Sequence, residues 1–343
     1  MKRVLSQIVG NDALKKRLSA DIAASALAHA YIIEGRKGCG KHTVALSIAA
    51  ALNCAEVHVS PESVPCGICE NCRKILSGIS QDVITVSRES GKATLGVEAV
   101  RGIRATVSTV PGELERKVYI IEDADTMTVQ AQNALLLTLE EPPPFVLFLL
   151  LCENARTLLE TIRSRAPALR VEPLDSIALD RVLTEKDPRA ALTKNTAPEE
   201  YAAILTAADG SVGEALRLLD SKERKLFLQD RETVESVINA CAAGKSCGEL
   251  SSLLSAFPAK RQEAMELFRL LMIALRDLIA LSRAEHPHLC FYTDPEAAAE
   301  LAARFSLSTL VSLFRAAEDA IDALSRNASL PLTLVLFTEA AGH

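Results

Sequence analysis

The chain has no tryptophan, and only 4% of its 343 residues are aromatic. That scarcity excludes a stacking platform for single-stranded nucleic acid, which needs several rings presented in a row. Positive charge is not in excess either: 38 Lys and Arg against 44 Asp and Glu give a net charge of -6. This balance excludes an autonomous nucleic-acid binder whose affinity comes from neutralising phosphates. Long hydrophobic runs are missing, the longest being FVLFLLLC from Phe145, far below the roughly 20 residues that span a bilayer. The segment MKRVLSQIVGNDALKK starts basic but lacks an apolar stretch of signal-peptide length, so the expected location is cytoplasmic. Glycine and proline, at 15 and 14, are too sparse for a disordered or fibrous chain.

What is present is ordinary for a folded protein, with 49% hydrophobic and 24% charged residues. The length exceeds one comfortable core and predicts two or three domains. Four short β-branched runs read as strands: AYIIEG from Ala30, DVITVS from Asp82, KVYIIED from Lys117, and FVLFLLLC. Helical patterns lie between them, in KHTVALSIAAALN, VEAVRGIRATVST and TVQAQNALLLTLEE. This alternation predicts an α/β domain with a parallel sheet over residues 1–172. Beyond Val171 the pattern is helical, in a short unit over 173–222 and a longer all-α unit over 223–343 with breaks near Gly244, Pro258, Pro287 and Pro295.

The segment GRKGCGKHT, from Gly35 to Thr43, sits between the first strand and the first crossover helix. Its frame G-x-x-x-x-G-K in that context is a phosphate-binding loop. Gly35, Gly38 and Gly40 let backbone N–H groups converge on phosphate oxygens at a helix N-terminus, and Lys41 reaches the terminal phosphates. His42 departs from the frame, standing where a serine or threonine hydroxyl would hold magnesium. Magnesium prefers oxygen, so the imidazole weakens the metal geometry. Thr43 is no replacement, since one step along a helix turns the side chain by about 100°.

The third strand ends in Glu122 and Asp123, where a nucleoside triphosphatase holds its metal and orients water. The order is inverted from the usual Asp-Glu, so Glu122 would face the metal and Asp123 the water; a solvated strand terminus is the other reading. Cys54, Cys66, Cys69 and Cys72 have the spacing C-x11-C-x2-C-x2-C. Four thiolates so placed can close around a structural zinc ion, leaving no position for water. The remaining cysteines, Cys39, Cys152, Cys241, Cys247 and Cys290, are scattered, and core packing is the expectation for them.

Taken in order, AHAYIIEGRKGCGKHT, the four-cysteine insertion, VEAVRGIR, KVYIIEDADTM, QAQNALLLTLEEPPP and TIRSRA resemble the clamp-loader subunits of bacterial DNA polymerase III, in the AAA+ superfamily. The resemblance implies an AAA+ domain, a helical lid and a helical collar. It also implies a role in opening a ring-shaped sliding clamp with ATP and placing it on primer-template DNA. The implied partners are the other loader subunits, gamma or tau and delta, with the clamp and DNA met through the complex. In this family a neighbour's ATP receives an arginine finger from a Ser-Arg-Cys motif, matched here by Ser164, Arg165 and Ala166.

Three departures point to the delta-prime type, which keeps the fold with a degraded site: His42, the inverted Glu122-Asp123 pair, and Gly213 where the motor's sensor-2 arginine would stand. Neither Cys152 nor Glu153 supplies the sensor-1 threonine, and Leu137 replaces a lysine. The expectation is a chain that holds ATP weakly and lends Arg165 across an interface. Two alternatives remain: a gamma/tau-type motor that hydrolyses ATP itself, and a zinc-stabilised scaffold that binds no nucleotide.

Overall fold

A computed structural model describes residues 5, 8–24, 26–60, 63–89, 91–254, 257–284 and 287–341. The side chain of Cys247 lies outside the described set. Contacts divide the chain into two units. Unit 1 comprises Met1–Val182 with Ser211–Gly213, and unit 2 comprises Leu183–Gly210 with Glu214–His343.

Unit 1 is built on five strands: β1 (Ala30–Glu34), β2 (Val83–Val86), β3 (Lys117–Ile121), β4 (Val146–Cys152) and β5 (Ala168–Arg170). Their order is β2-β3-β4-β1-β5, with every pairing parallel. The central strands β3 and β4 are buried along their whole length. Both faces must therefore be covered, which explains the unbroken apolar runs in the sequence. One face packs Ile33, Val118 and Leu149 with α1 (Asp12–Ala23), α2 (Lys41–Leu52) and α3 (Glu70–Leu76). The other packs Ile32, Tyr119 and Phe148 with α4 (Val97–Thr106) and α5 (Val129–Glu140). Two further helices follow, α6 (Glu160–Arg163) and α7 (Ser176–Lys186).

The four strands expected from the sequence are present. β5 escapes the pattern because it has three residues and a single buried side chain. The segment RTLLETIRSR, which reads as one amphipathic helix, is instead a 3-10 turn at Ala155–Thr157 followed by α6, a single turn. Leu158 and Leu159 between them have extended backbone, and the Leu159 N–H is bonded to Gln132 Oε1.

Asp82, just before β2, ties the start of the sheet together. Its carboxylate accepts the backbone N–H groups of Gly112, Glu113 and Leu114 at 3.0, 2.8 and 3.0 Å. Burial opposes the charge, but these three donors and Lys117 outweigh it and hold the carboxyl below its usual range. A depressed pKa stabilises above the unfolded value of about 4 and ceases to do so as pH falls through the folded one. Asp82→Asn is expected to cost about 1–3 kcal/mol at pH 7. The difference from wild type should shrink in acid unfolding below about pH 4, as followed by circular dichroism.

Unit 2 is all-helical: α8 (Pro188–Thr196), α9 (Pro198–Ala208), most of α10 (Val212–Leu218), α11 (Ser221–Ala242), α12 (Cys247–Leu254), α13 (Arg261–Leu281), α14 (Pro295–Ala302), α15 (Leu307–Ser325) and α16 (Leu330–Ala341). Val234, Phe268, Leu271, Leu275, Leu313 and Ala317 lie in its core, and the Phe268 and Phe337 rings meet edge-on at 5.3 Å. Among the described residues, no single helix is long and apolar enough to cross a membrane.

Candidate nucleotide pocket and cysteine cluster

The carboxyl ends of β1, β3 and β4 lie side by side, the place where parallel α/β sheets bind ligands. The phosphate loop leaves β1 there. Gly38 and Gly40 have φ of 75° and 95°, values that favour glycine, and Gly40 caps α2. Gly35 is required for a different reason: a Cβ there would sit 2.7 Å from both Cys39 Sγ and the Val171 carbonyl. Lys41 folds back onto its own loop, donating to the carbonyls of Gly35 and Arg36 at 2.7 and 2.9 Å. The Thr43 side chain is exposed. Burial pushes the Cys39 thiol up.

His42 and Glu122 do meet. Nδ1 of His42 lies 2.9 Å from Glu122 Oε1. The distance is that of an ion pair, yet the angles are not those of a hydrogen bond, and Nδ1 is itself buried without an aligned partner. An imidazole and a carboxylate thus occupy the space between the loop and the acidic strand end. Asp123 turns elsewhere: with a left-handed φ of 48°, it accepts from Arg88 Nε and Nη2 at 3.1 and 2.7 Å. Arg88 has no signal in the sequence that marks it as the partner. At the end of β4, burial first, then the charges of Asp125 and Glu34, push the Cys152 thiol up to about 12.

Gly213 closes the loop from the other side. Its N–H donates to the Gly38 carbonyl at 2.9 Å, and Ser211 Oγ donates to the Lys37 carbonyl at 3.1 Å. A Cβ at position 213 would lie 2.8 Å from Gly38 Cα. A side chain at position 213 cannot be accommodated without moving the glycine-rich loop.

Arg165 is on the surface just past α6, its side chain 35% exposed. It donates to Glu140 Oε1 at 2.9 Å and to the Thr161 carbonyl at 3.0 Å. Ser164 donates to the same Thr161 carbonyl at 3.0 Å, and Ala166 is buried.

The sulfur atoms of Cys54, Cys66, Cys69 and Cys72 all lie within 4.8 Å of one another, with Cys66 and Cys72 at 3.9 Å. Tetrahedral zinc with bonds of about 2.3 Å needs sulfurs roughly 3.8 Å apart, so the cluster fits the ion. Backbone N–H groups of Cys66, Cys69 and Cys72 point at sulfurs at 3.3–3.4 Å. Burial opposes ionisation of Cys66, but N–H donors from Cys69 and Ile68 outweigh it and bring the thiol down to about 7.

A glycine-rich loop between β1 and α2, an acidic pair just past the end of β3 and an all-parallel sheet define a P-loop α/β fold. The family model described as DNA polymerase III, delta subunit, matches residues 10–175. The chain is 33% identical over 213 residues to DNA polymerase III subunit tau of Bacillus subtilis, covering 62% of this chain and 36% of that protein. It is 32% identical over 240 residues to subunit tau/gamma of Haemophilus influenzae, covering 69% and 33%. A solved gamma subunit-related protein from Thermotoga maritima aligns over 95% of this chain and 98% of that one, at 18% identity and a TM-score of 0.46. The clamp-loader likeness is therefore carried by the first part of the chain, residues 10–175 in the family match and 213 to 240 residues in the relatives. It spans about a third of the length of the curated relatives it matches.

Proposed function

We propose that this chain is a clamp-loader subunit of bacterial DNA polymerase III. It acts in a hetero-oligomer that uses ATP to place a sliding clamp on primer-template DNA. Within that role we favour the delta-prime type, and one observation carries this: His42, at the position where the loop frame calls for a magnesium-binding hydroxyl, lies 2.9 Å from Glu122. The loop glycines and Lys41 suit the phosphates of ATP, whereas the imidazole suits magnesium poorly. Gly213 against Gly38 leaves no room for a lid arginine on a bound triphosphate. Arg165 then serves as a finger toward a neighbour's ATP, Cys54, Cys66, Cys69 and Cys72 hold structural zinc, and residues 173–222 and 223–343 act as lid and collar.

A second reading is a gamma/tau-type motor. The names of the curated relatives favour it, and on sequence likeness alone it has the stronger support. Binding of a fluorescent ATP analogue and steady-state hydrolysis by the isolated chain separate the readings. The expected outcome is binding that Lys41→Ala weakens at least about tenfold, with little or no turnover. Sustained hydrolysis abolished by Lys41→Ala would establish the motor, and no binding at all would leave a zinc-stabilised scaffold.

A further inference from the structure

Far from the phosphate loop in sequence, unit 2 gathers three side chains of a different kind. Asp209 follows α9 in a left-handed conformation, φ 45°, and its side chain is only 18% exposed. His288 reaches it from the loop between α13 and α14, with Nε2 at 2.5 Å from Asp209 Oδ1. Cys290, two residues on and 7% exposed, completes the group, and the three ligand atoms all lie within 4.8 Å of one another.

The cysteine is held in place from behind. Asp277 on α13 is fully buried, and one carboxylate oxygen accepts the backbone N–H groups of Cys290, Phe291 and Tyr292 at 2.9, 2.7 and 3.4 Å. Arg276 Nη2 pairs with the other oxygen at 2.7 Å. From α11, Arg231 donates to the Phe291 carbonyl at 2.6 Å and stacks its guanidinium over that ring at 4.7 Å. Core packing was the expectation for Cys290. Burial holds, but the sulfur faces a carboxylate and an imidazole rather than apolar neighbours alone.

We propose that Asp209, His288 and Cys290 form a zinc site separate from the four-cysteine cluster, with water in the fourth position. The donor set decides the metal: magnesium and calcium take oxygen, whereas a thiolate, an imidazole and a carboxylate together suit zinc. Zinc bonds of about 2.0–2.3 Å require donors roughly 3.3–3.8 Å apart. The Asp209–His288 pair opens slightly to admit the ion, and His288, its side chain 73% exposed, is free to make that movement. Charge also balances. One thiolate and one carboxylate neutralise Zn²⁺, while the Arg276 charge beside Cys290 is offset by Asp277. The ion would tie the end of α9 to the loop before α14, with the water-held fourth position open to exchange. The site does not depend on the proposed function.

The test is metal content of the full chain after chelation and reloading with Zn²⁺ alone. The wild type is expected to hold one equivalent more than either His288→Ala or Cys290→Ala, and exposed His288 can be removed without disturbing the fold. A second measurement uses Co²⁺ on the metal-free full chain with all four cluster cysteines intact. It should take up two ions, and Cys290→Ser should remove one of them together with its part of the sulfur-to-cobalt absorption. Equal zinc content in wild type, His288→Ala and Cys290→Ala overturns the proposal, as does a cobalt spectrum without a Cys290-dependent band.

Discussion

Replacing Arg165 with alanine is expected to cut the ATPase rate of a reconstituted loader by about 10³-fold or more while leaving this chain folded and assembled. The expectation rests on the proposed role in a complex and on how the guanidinium is held. In the chain alone it bonds Glu140 and the Thr161 carbonyl on a partly exposed surface. A surface pair of that kind is worth only about 0–1 kcal/mol. The γ-phosphate of a neighbour's nucleotide can therefore displace Glu140 at little cost, and arginine fingers contribute roughly 10³–10⁵ in rate. Arg165→Lys should recover little, because an ammonium lacks the planar fork. Glu140→Ala, which releases the guanidinium, should preserve the rate. Steady-state phosphate release by the assembled complex measures all three, and an Arg165→Ala loader running at the wild-type rate would end the case for a finger in trans.

The second large effect concerns the four-cysteine cluster. Treating the chain with a strong chelator, or changing Cys66 and Cys69 to serine together, is expected to lower the melting temperature by about 10 °C or more if the proposed zinc is there. Structural zinc contributes folding free energy outright, about 10–16 kcal/mol in isolated zinc-finger peptides, and a domain this size loses about 2–4 °C per kcal/mol. The loss should spread beyond the insertion. Cys54 and Cys72 are buried in the same cluster of side chains as Ile48, Val64, Ile75 and Val118, which continues to the sheet. Cys69 also caps α3, its sulfur accepting the Cys72 N–H. Calorimetry with and without chelator, alongside metal analysis, checks this; an unchanged melting temperature with no zinc present would exclude a structural metal there.

Much of the site is local and so could be read along the chain. The phosphate loop is one contiguous frame between a strand and a helix, and Gly38 and Gly40 have the positive φ that the frame demands. The acidic strand end is likewise contiguous, but its two carboxylates part company in space. Glu122 meets His42, while Asp123 is taken by Arg88, 35 residues earlier in the chain. Gly213 shows the same division. The sequence reveals a missing arginine; only the fold reveals that the glycine backbone bonds Gly38 and leaves no space for a side chain.

By itself the sequence determined the strands β1 to β4, the helices around them, the phosphate loop and the cysteine spacing. Each of these is set by period, turn chemistry or ligands a few residues apart, and such signals survive in one dimension. Tertiary structure alone decided β5, the one-turn α6, the Arg88–Asp123 and Arg165–Glu140 pairs, and the grouping of Asp209 with His288 and Cys290. In these cases the contacts join residues far apart along the chain, or depend on a single buried side chain in a very short element. Neither leaves a periodic trace, because it is chain packing rather than local preference that brings the atoms together.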